Sequence, residues 1–316
     1  MSILQIIINQ LFTTNLNSML QHNYGEYAAL FTAFLWTFTA LAFEDATRKV
    51  GTYAVNIFRL VLAFIFLATL NYFRRGMWIP MDATQDAWIW LSLSGLVGFF
   101  IGDLFLFASY PIITSRVAML IMTLVPPFTA FLGWIVLGET MDIQSLAGMF
   151  LVVLGIGITI WSRAAKGEKL KLNYSFKGLL FALIGAIGQA GGLILSKLGM
   201  KDYDAFSSTQ IRAISGILGF IVVLFVMRKW GNVASTFKNP KALRSITIGS
   251  IFGPFLGVSF SLIAIQNTSA GIASTLMALV PIIIILPSIY IFKQKITQRE
   301  IFGAIISVIG VVLFFV

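Results

Sequence analysis

Thr114-Ser-Arg-Val-Ala-Met-Leu-Ile-Met-Thr-Leu-Val-Pro126-Pro127 opens an apolar run that closes at Leu137-Gly138-Glu139. The chain repeats it 155 residues later as Ser269-Ala-Gly-Ile-Ala-Ser-Thr-Leu-Met277-Ala-Leu-Val-Pro281, closing at Phe292-Lys293-Gln294. At that one offset Gly98 falls on Gly253, Gly102 on Gly257, Phe105 on Phe260, Met122 on Met277, Pro126 on Pro281, Gly148 on Gly303 and Gly155 on Gly310. Glycine and proline each weaken a helix unless the geometry uses them, so their recurrence in register marks a duplication. The earlier part aligns at an offset of 153, pairing Gly25 with Gly178, Trp36 with Gln189 and Arg59 with Arg212. A two-residue loop difference between the copies accounts for the change.

Around that repeat, 58% of the residues are hydrophobic and only 11% charged, and the mean hydropathy is +0.92. This is the composition of a polytopic membrane protein and not of a soluble domain. With no cysteine there can be no disulfide, thiolate metal site or cysteine nucleophile, and one histidine, His22, leaves little room for imidazole chemistry. The net charge of +10 sits in short loops between apolar runs, where bases act as orientation signals and headgroup contacts. Nucleic acid is therefore not an expected partner. The chain has no P-loop, nucleophile elbow, His-Glu-x-x-His motif or calcium loop, so no cofactor or metal is expected, and any active transport must draw on an ion or solute gradient.

A bilayer crossing needs about 20 mostly apolar residues. Ten stretches qualify, at 26–43, 53–72, 87–108, 114–137, 144–161, 177–198, 205–226, 245–264, 270–292 and 299–316. The fold class is thus all-α, with ten transmembrane helices as two five-helix repeats. Because five is odd, the second copy enters the membrane inverted. The expected units are an N-terminal segment at 1–24, a first repeat at 25–162, a basic linker at 163–176 and a second repeat at 177–316. Residues 1–24 read as an interfacial helix or as the product of an early start, with Met19 the alternative initiator. Sixteen of the 22 Lys and Arg lie in odd-numbered connections and four in even-numbered ones, which places odd connections in the cytoplasm and both termini outside.

Asp103, in Phe99-Phe-Ile-Gly-Asp103-Leu-Phe-Leu-Phe107, is the sharpest candidate for chemistry. A carboxylate in hydrocarbon faces a cavity or pairs with a cation, so it reads either as a proton or cation-substrate site, or as a structural partner of Arg59 or Arg116 or a residue near the water interface. Its repeat equivalent is Val258. Arg59 and Arg212 recur in both copies, which favours architecture, with anion coordination the alternative. Pro126, Pro127 and Pro281 interrupt the fourth and ninth spans, as an alternating-access core or a packing kink would require. Gln189, amid Gly185, Gly188, Gly191 and Gly192, and the hydroxyls of Thr37, Thr39, Thr123, Ser259, Ser274 and Thr275 could supply solute hydrogen bonds. Glu139 reads as a helix-end anchor.

These residues resemble the EamA-type ten-helix members of the drug/metabolite transporter superfamily. Each copy in that family ends in a pattern similar to Gly102, Asp103, Ala108, Ser115, Arg116, Ala118, Leu120, Pro126, Leu137-Gly138-Glu139, Gly148 and Gly155 here. The second copy keeps Gly257, Ala264, Ala270, Ala273, Leu276, Pro281, Gly303 and Gly310 but reads Phe292-Lys293-Gln294 in place of Leu-Gly-Glu. The resemblance implies a central cavity between the helices, with Trp36, Asp103, Met119, Thr123, Gln189, Phe260 and Ser274 as lining positions. It also implies both termini in the cytoplasm, opposite to the charge count.

The sequence-based expectation is a secondary transporter, an exporter of small metabolites in a bacterial cytoplasmic membrane, working by alternating access with a proton as the coupling ion. Its partners would be a small-molecule solute, the proton and the bilayer, with the chain a monomer or homodimer. The alternative is a membrane-embedded enzyme acting on a lipid-linked substrate, which would need a cluster of His, Asp, Glu or Ser at an interface.

Overall fold

A computed structural model of the chain describes residues 23–164, 175–283 and 297–315, and every regular element among them is helical. The first copy runs α1 (Tyr24–Val50), α2 (Thr52–Arg75), α3 (Gln85–Ser94), a π-helical segment (Gly95–Gly102), α4 (Asp103–Met122), α5 (Val125–Leu137) and α6 (Ile143–Ala164). The second runs α7 (Phe176–Met200), α8 (Ala205–Val226), a short α9 (Trp230–Thr236), α10 (Pro240–Ser250), a second π segment (Ile251–Gly257), α11 (Val258–Asn267), α12 (Ala270–Met277), α13 (Val280–Ile283) and α14 (Gln298–Val312). The N-terminal segment 1–22, the linker at 165–174 and the end of the ninth expected span at 284–292 lie outside the described residues.

Among the described residues, six segments are long and apolar enough to cross a membrane: Tyr24–Thr47, Thr52–Arg75, Gln85–Ser109, Phe176–Met200, Ala205–Val226 and Pro240–Asn267. Their outer faces carry Phe73, Phe225 and Val226, and the shorter α5 and α6 add Trp134 and Phe150, all exposed. An apolar exterior of this extent suits lipid and not water. The chain is a multi-pass membrane protein.

In lipid the hydrophobic effect does little to press helices together, so close backbone approach and interhelical hydrogen bonds must do it. The glycines recurring at the 155-residue offset are where the backbones meet. A β-carbon on Gly192 of α7 would lie 2.7 Å from Gly98 Cα, and one on Gly188 would lie 2.8 Å from Gly102 Cα. The α3-π-α4 run therefore lies antiparallel along α7 with nothing between the two backbones. The second copy builds the same joint from α10, its π segment and α11 along α1, where Gly253 meets Thr39 and Gly257 meets Trp36. A third joint, α6 with α14, sets Gly148 against Gly310 and Gly155 against Gly303, a pairing that the offset maps onto itself.

Two expectations change. The break between the third and fourth spans, at 109–113, is absent, because α4 runs on to Met122. At the matching place the second copy does break, between Asn267 and Ala270. The side chains differ in kind: Ile112-Ile113 continues an apolar helix, whereas Asn267-Thr268-Ser269 turns, with Ser269 Oγ capping the Ile272 amide at 3.3 Å. The prolines also begin helices and do not kink them. Thr123-Leu124 and Ala278-Leu279 form turns in register, and Pro126, Pro127 and Pro281 fall in the first turn that follows, where a missing N–H leaves no bond unmade.

Candidate functional site

The π segment ends at Gly102, so Asp103 is the first side chain after the helix tightens again. A π turn shifts the register of everything beyond it, which is how a carboxylate can be aimed between helices from inside an apolar run. Asp103 is 6% exposed. Its Oδ2 forms an ion pair with Arg59 Nη2 of α2, and its Oδ1 accepts a hydrogen bond from Gln189 Nε2 of α7 at 2.6 Å. Gln189 reaches it because Gly188 and Gly102 bring the two backbones together.

Arg59 is held from behind. Its Nε donates to Asn56 Oδ1 at 2.9 Å, and Asn56 Nδ2 donates to the Thr52 carbonyl at 3.1 Å, which sets the amide's orientation. The guanidinium lies 5.8 Å from the centroids of both Phe43 and Phe107. Arg212, its repeat equivalent on α8, is 3% exposed, stands 4.5 Å over the Phe99 ring and brings Nη2 to within 3.4 Å of where a β-carbon on Gly98 would lie. Arg212 Nε and Nη1 have no hydrogen-bond partner. The cluster thus unites Arg59 and Asp103 of the first copy with Gln189 and Arg212 of the second.

The structure pairs Asp103 with Arg59, one of the two partners expected for it. Other expected lining residues sit elsewhere. Trp36 packs where α1 meets the second π segment, so that a β-carbon on Gly257 would lie 2.6 Å from its Nε1. Phe260 makes an edge contact with Phe31 at 4.9 Å and faces Phe206 at 6.3 Å. Ser274 is buried and donates to the Gly271 carbonyl at 3.0 Å; Thr123 is buried in the turn after α4. Arg116 and Met119 lie on α4, but their side chains fall outside the described residues.

A second polar assembly was not anticipated. Glu139 pairs through Oε1 with Lys197 Nζ at 2.5 Å and accepts through Oε2 from the Ala270 amide at 2.8 Å, at the positive end of α12. Lys197 also donates to the Thr268 carbonyl at 2.6 Å, and the Thr268 hydroxyl donates to Glu26 Oε1 at 2.5 Å. Glu26 and Lys197 each lie near a helix end, Glu26 in the first turn of α1 and Lys197 in the last turn of α7. Only the fold reveals that five helix ends, those of α1, α5, α7, α11 and α12, converge on them.

A model of the EamA-like transporter family matches residues 23–161 and again 176–316. An uncharacterized transporter from Archaeoglobus fulgidus is 22% identical over 287 residues, covering 90% of this chain and 95% of its own. The uncharacterized transporter YyaM of Bacillus subtilis is 24% identical over 285 residues, covering 87% of this chain and 88% of its own. One solved crystal structure superposes with a TM-score of 0.73 over 93% of this chain and 96% of that one, at 15% identity, a likeness of fold alone.

Proposed function

The chain belongs to the EamA-like transporter family, and from that premise we propose that it is a secondary-active exporter of small metabolites in a bacterial cytoplasmic membrane. It crosses the membrane ten times as two inverted five-helix repeats, and the repeats rock against each other to expose a central site alternately to the two sides. The observation that carries this reading is the cluster around Asp103, a buried carboxylate of one copy held by a side chain from each copy.

Asp103 serves as the coupling group. Ionised, it ties Arg59 to Gln189 and so locks the first copy to the second. Protonation weakens both contacts and frees the copies to move. Solute flux into proteoliposomes holding this protein alone, with and without an imposed pH gradient, tests the reading. Asp103→Asn, which keeps the shape and removes the titration, is expected to abolish the pH dependence and slow gradient-driven flux about tenfold or more. Full pH-dependent transport by that variant would show the mechanism wrong.

A further inference from the structure

The buried charges of this cluster do not balance. Among the described residues, the cluster holds two buried cations, Arg59 and Arg212, and one buried carboxylate, Asp103, all three less than a tenth exposed, and Asp103 is paired with Arg59. Gln189 adds a hydrogen bond but no charge. Both Asp103 oxygens are already engaged, one by Arg59 and one by Gln189. Among the described residues, Arg212 Nε and Nη1 are buried with no acceptor.

The unmatched groups are N–H donors, so the missing partner is an acceptor. The unmatched charge is positive, so that acceptor is an anion. The duplication sharpens the point, because the first copy supplies Asp103 for its arginine while the second has Val258 at the corresponding position. Around Arg212 the walls are one aromatic face, Phe99 at 4.5 Å, and bare backbone at Gly98, whose missing β-carbon would stand 3.4 Å from Arg212 Nη2.

Resting on the transporter reading above, we propose that Arg212 anchors a carboxylate on the transported solute, which is a small monocarboxylate with an apolar body. One negative charge brings the cluster to neutrality, whereas a phosphate group, with nearly two at neutral pH, overshoots it. The apolar body suits the phenylalanine beside the guanidinium.

A head-group series tests this on the purified wild-type protein by thermal stabilisation. The probes are 4-methylpentanoate, 4-methylpentanamide, 3-methylbutylamine and inorganic phosphate. The carboxylate is expected to raise the melting temperature by about 2 °C or more at saturating concentration, and the other three by much less. An amide, amine or phosphate shift equal to that of the carboxylate overturns the proposal, as does no carboxylate shift at about tenfold millimolar excess. Arg212→Gln should lose the shift and Arg212→Lys, which keeps the charge without the planar fork, should retain a reduced one. A folded Arg212→Gln that responds like wild type overturns it; if that variant does not fold, the wild-type series and Arg212→Lys decide. Counterflow in proteoliposomes separates the two readings. Exchange of the amine or amide without the carboxylate leaves a transporter and removes this ligand class, while a carboxylate shift without exchange of any probe removes the transport reading and leaves the site.

Discussion

Glu139 shows how one side chain can hold three elements. It ends α5, neutralises Lys197 of α7 and accepts from the first amide of α12, and Gly133 leaves room for it, since a β-carbon there would stand 3.2 Å from Glu139 Oε2. The two bonds are of different kinds, so they can be separated by substitution. Glu139→Gln keeps an acceptor for Ala270 and loses the charge; Glu139→Ala loses both. We expect the first to cost about 1 kcal/mol and the second about 2 kcal/mol, measured as successive falls in the unfolding midpoint in detergent. Because Lys197 is about four-fifths covered, a cycle with Lys197→Ala should show coupling of about 1 kcal/mol. Additive losses would mean that the ion pair contributes nothing and that the helix cap alone matters.

At the scale of elements, the joint between α3-π-α4 and α7 is a backbone-to-backbone contact. Gly192→Val would place a β-carbon 2.7 Å from Gly98 Cα, and backbone cannot rotate away as a side chain can. A loss of about 1–3 kcal/mol is expected, seen as a lower thermal midpoint. Gly157→Val on α6 is the control, since a β-carbon there meets nothing within 4 Å, and it should change little. Equal effects at the two sites would mean that helix propensity and not the joint sets the cost. These glycines were legible in the sequence because duplication displays them twice, at Gly98 and Gly253 and at Gly102 and Gly257. The π segments were not, although both sit on those same glycines, because composition alone does not distinguish an i+5 turn from a close-packed α turn. The site was legible in part for the same reason. Asp103, Arg59 and Arg212 stand out as charges in apolar surroundings, but Gln189 belongs with them only because Gly188 and Gly102 lay α7 against the start of α4, and pairing between distant helices leaves no mark on either stretch alone. Trp36, Phe260 and Ser274 came from analogy of helix position, which says which helix lines a cavity and not which face of it.

At the scale of the whole molecule, the contacts at the helix ends and connections sort by end. At one end the 76–84 loop meets the 200–204 loop, through Tyr203 Oη donating to Asp82 Oδ1 at 2.8 Å, Arg75 pairing with Asp82, and Gln210 Nε2 donating to the Trp78 carbonyl at 2.7 Å. Gln266 joins them through the Lys201 carbonyl at 2.6 Å. At the other end Ser245 Oγ donates to Asp45 Oδ2 at 2.5 Å, and Phe58 packs edge-on against Phe237 at 5.0 Å. Numbered along the ten expected spans, the first group lies at even connections or the helix ends beside them, and the second at odd ones, as an inverted duplication would require. The natural absence of cysteine makes this directly measurable with single introduced thiols. Met81→Cys and Asp202→Cys, both exposed, should react with a membrane-impermeant maleimide from one face of intact cells, and Lys238→Cys only after permeabilisation or from the opposite face. Sixteen bases against four puts the two former thiols outside. Reversed labelling of all three would keep the architecture and show that the positive-inside bias is overridden here, with the termini in the cytoplasm. Labelling of Met81→Cys and Asp202→Cys from different faces would leave an odd number of crossings between them, and the second copy could not then be the inverted image of the first.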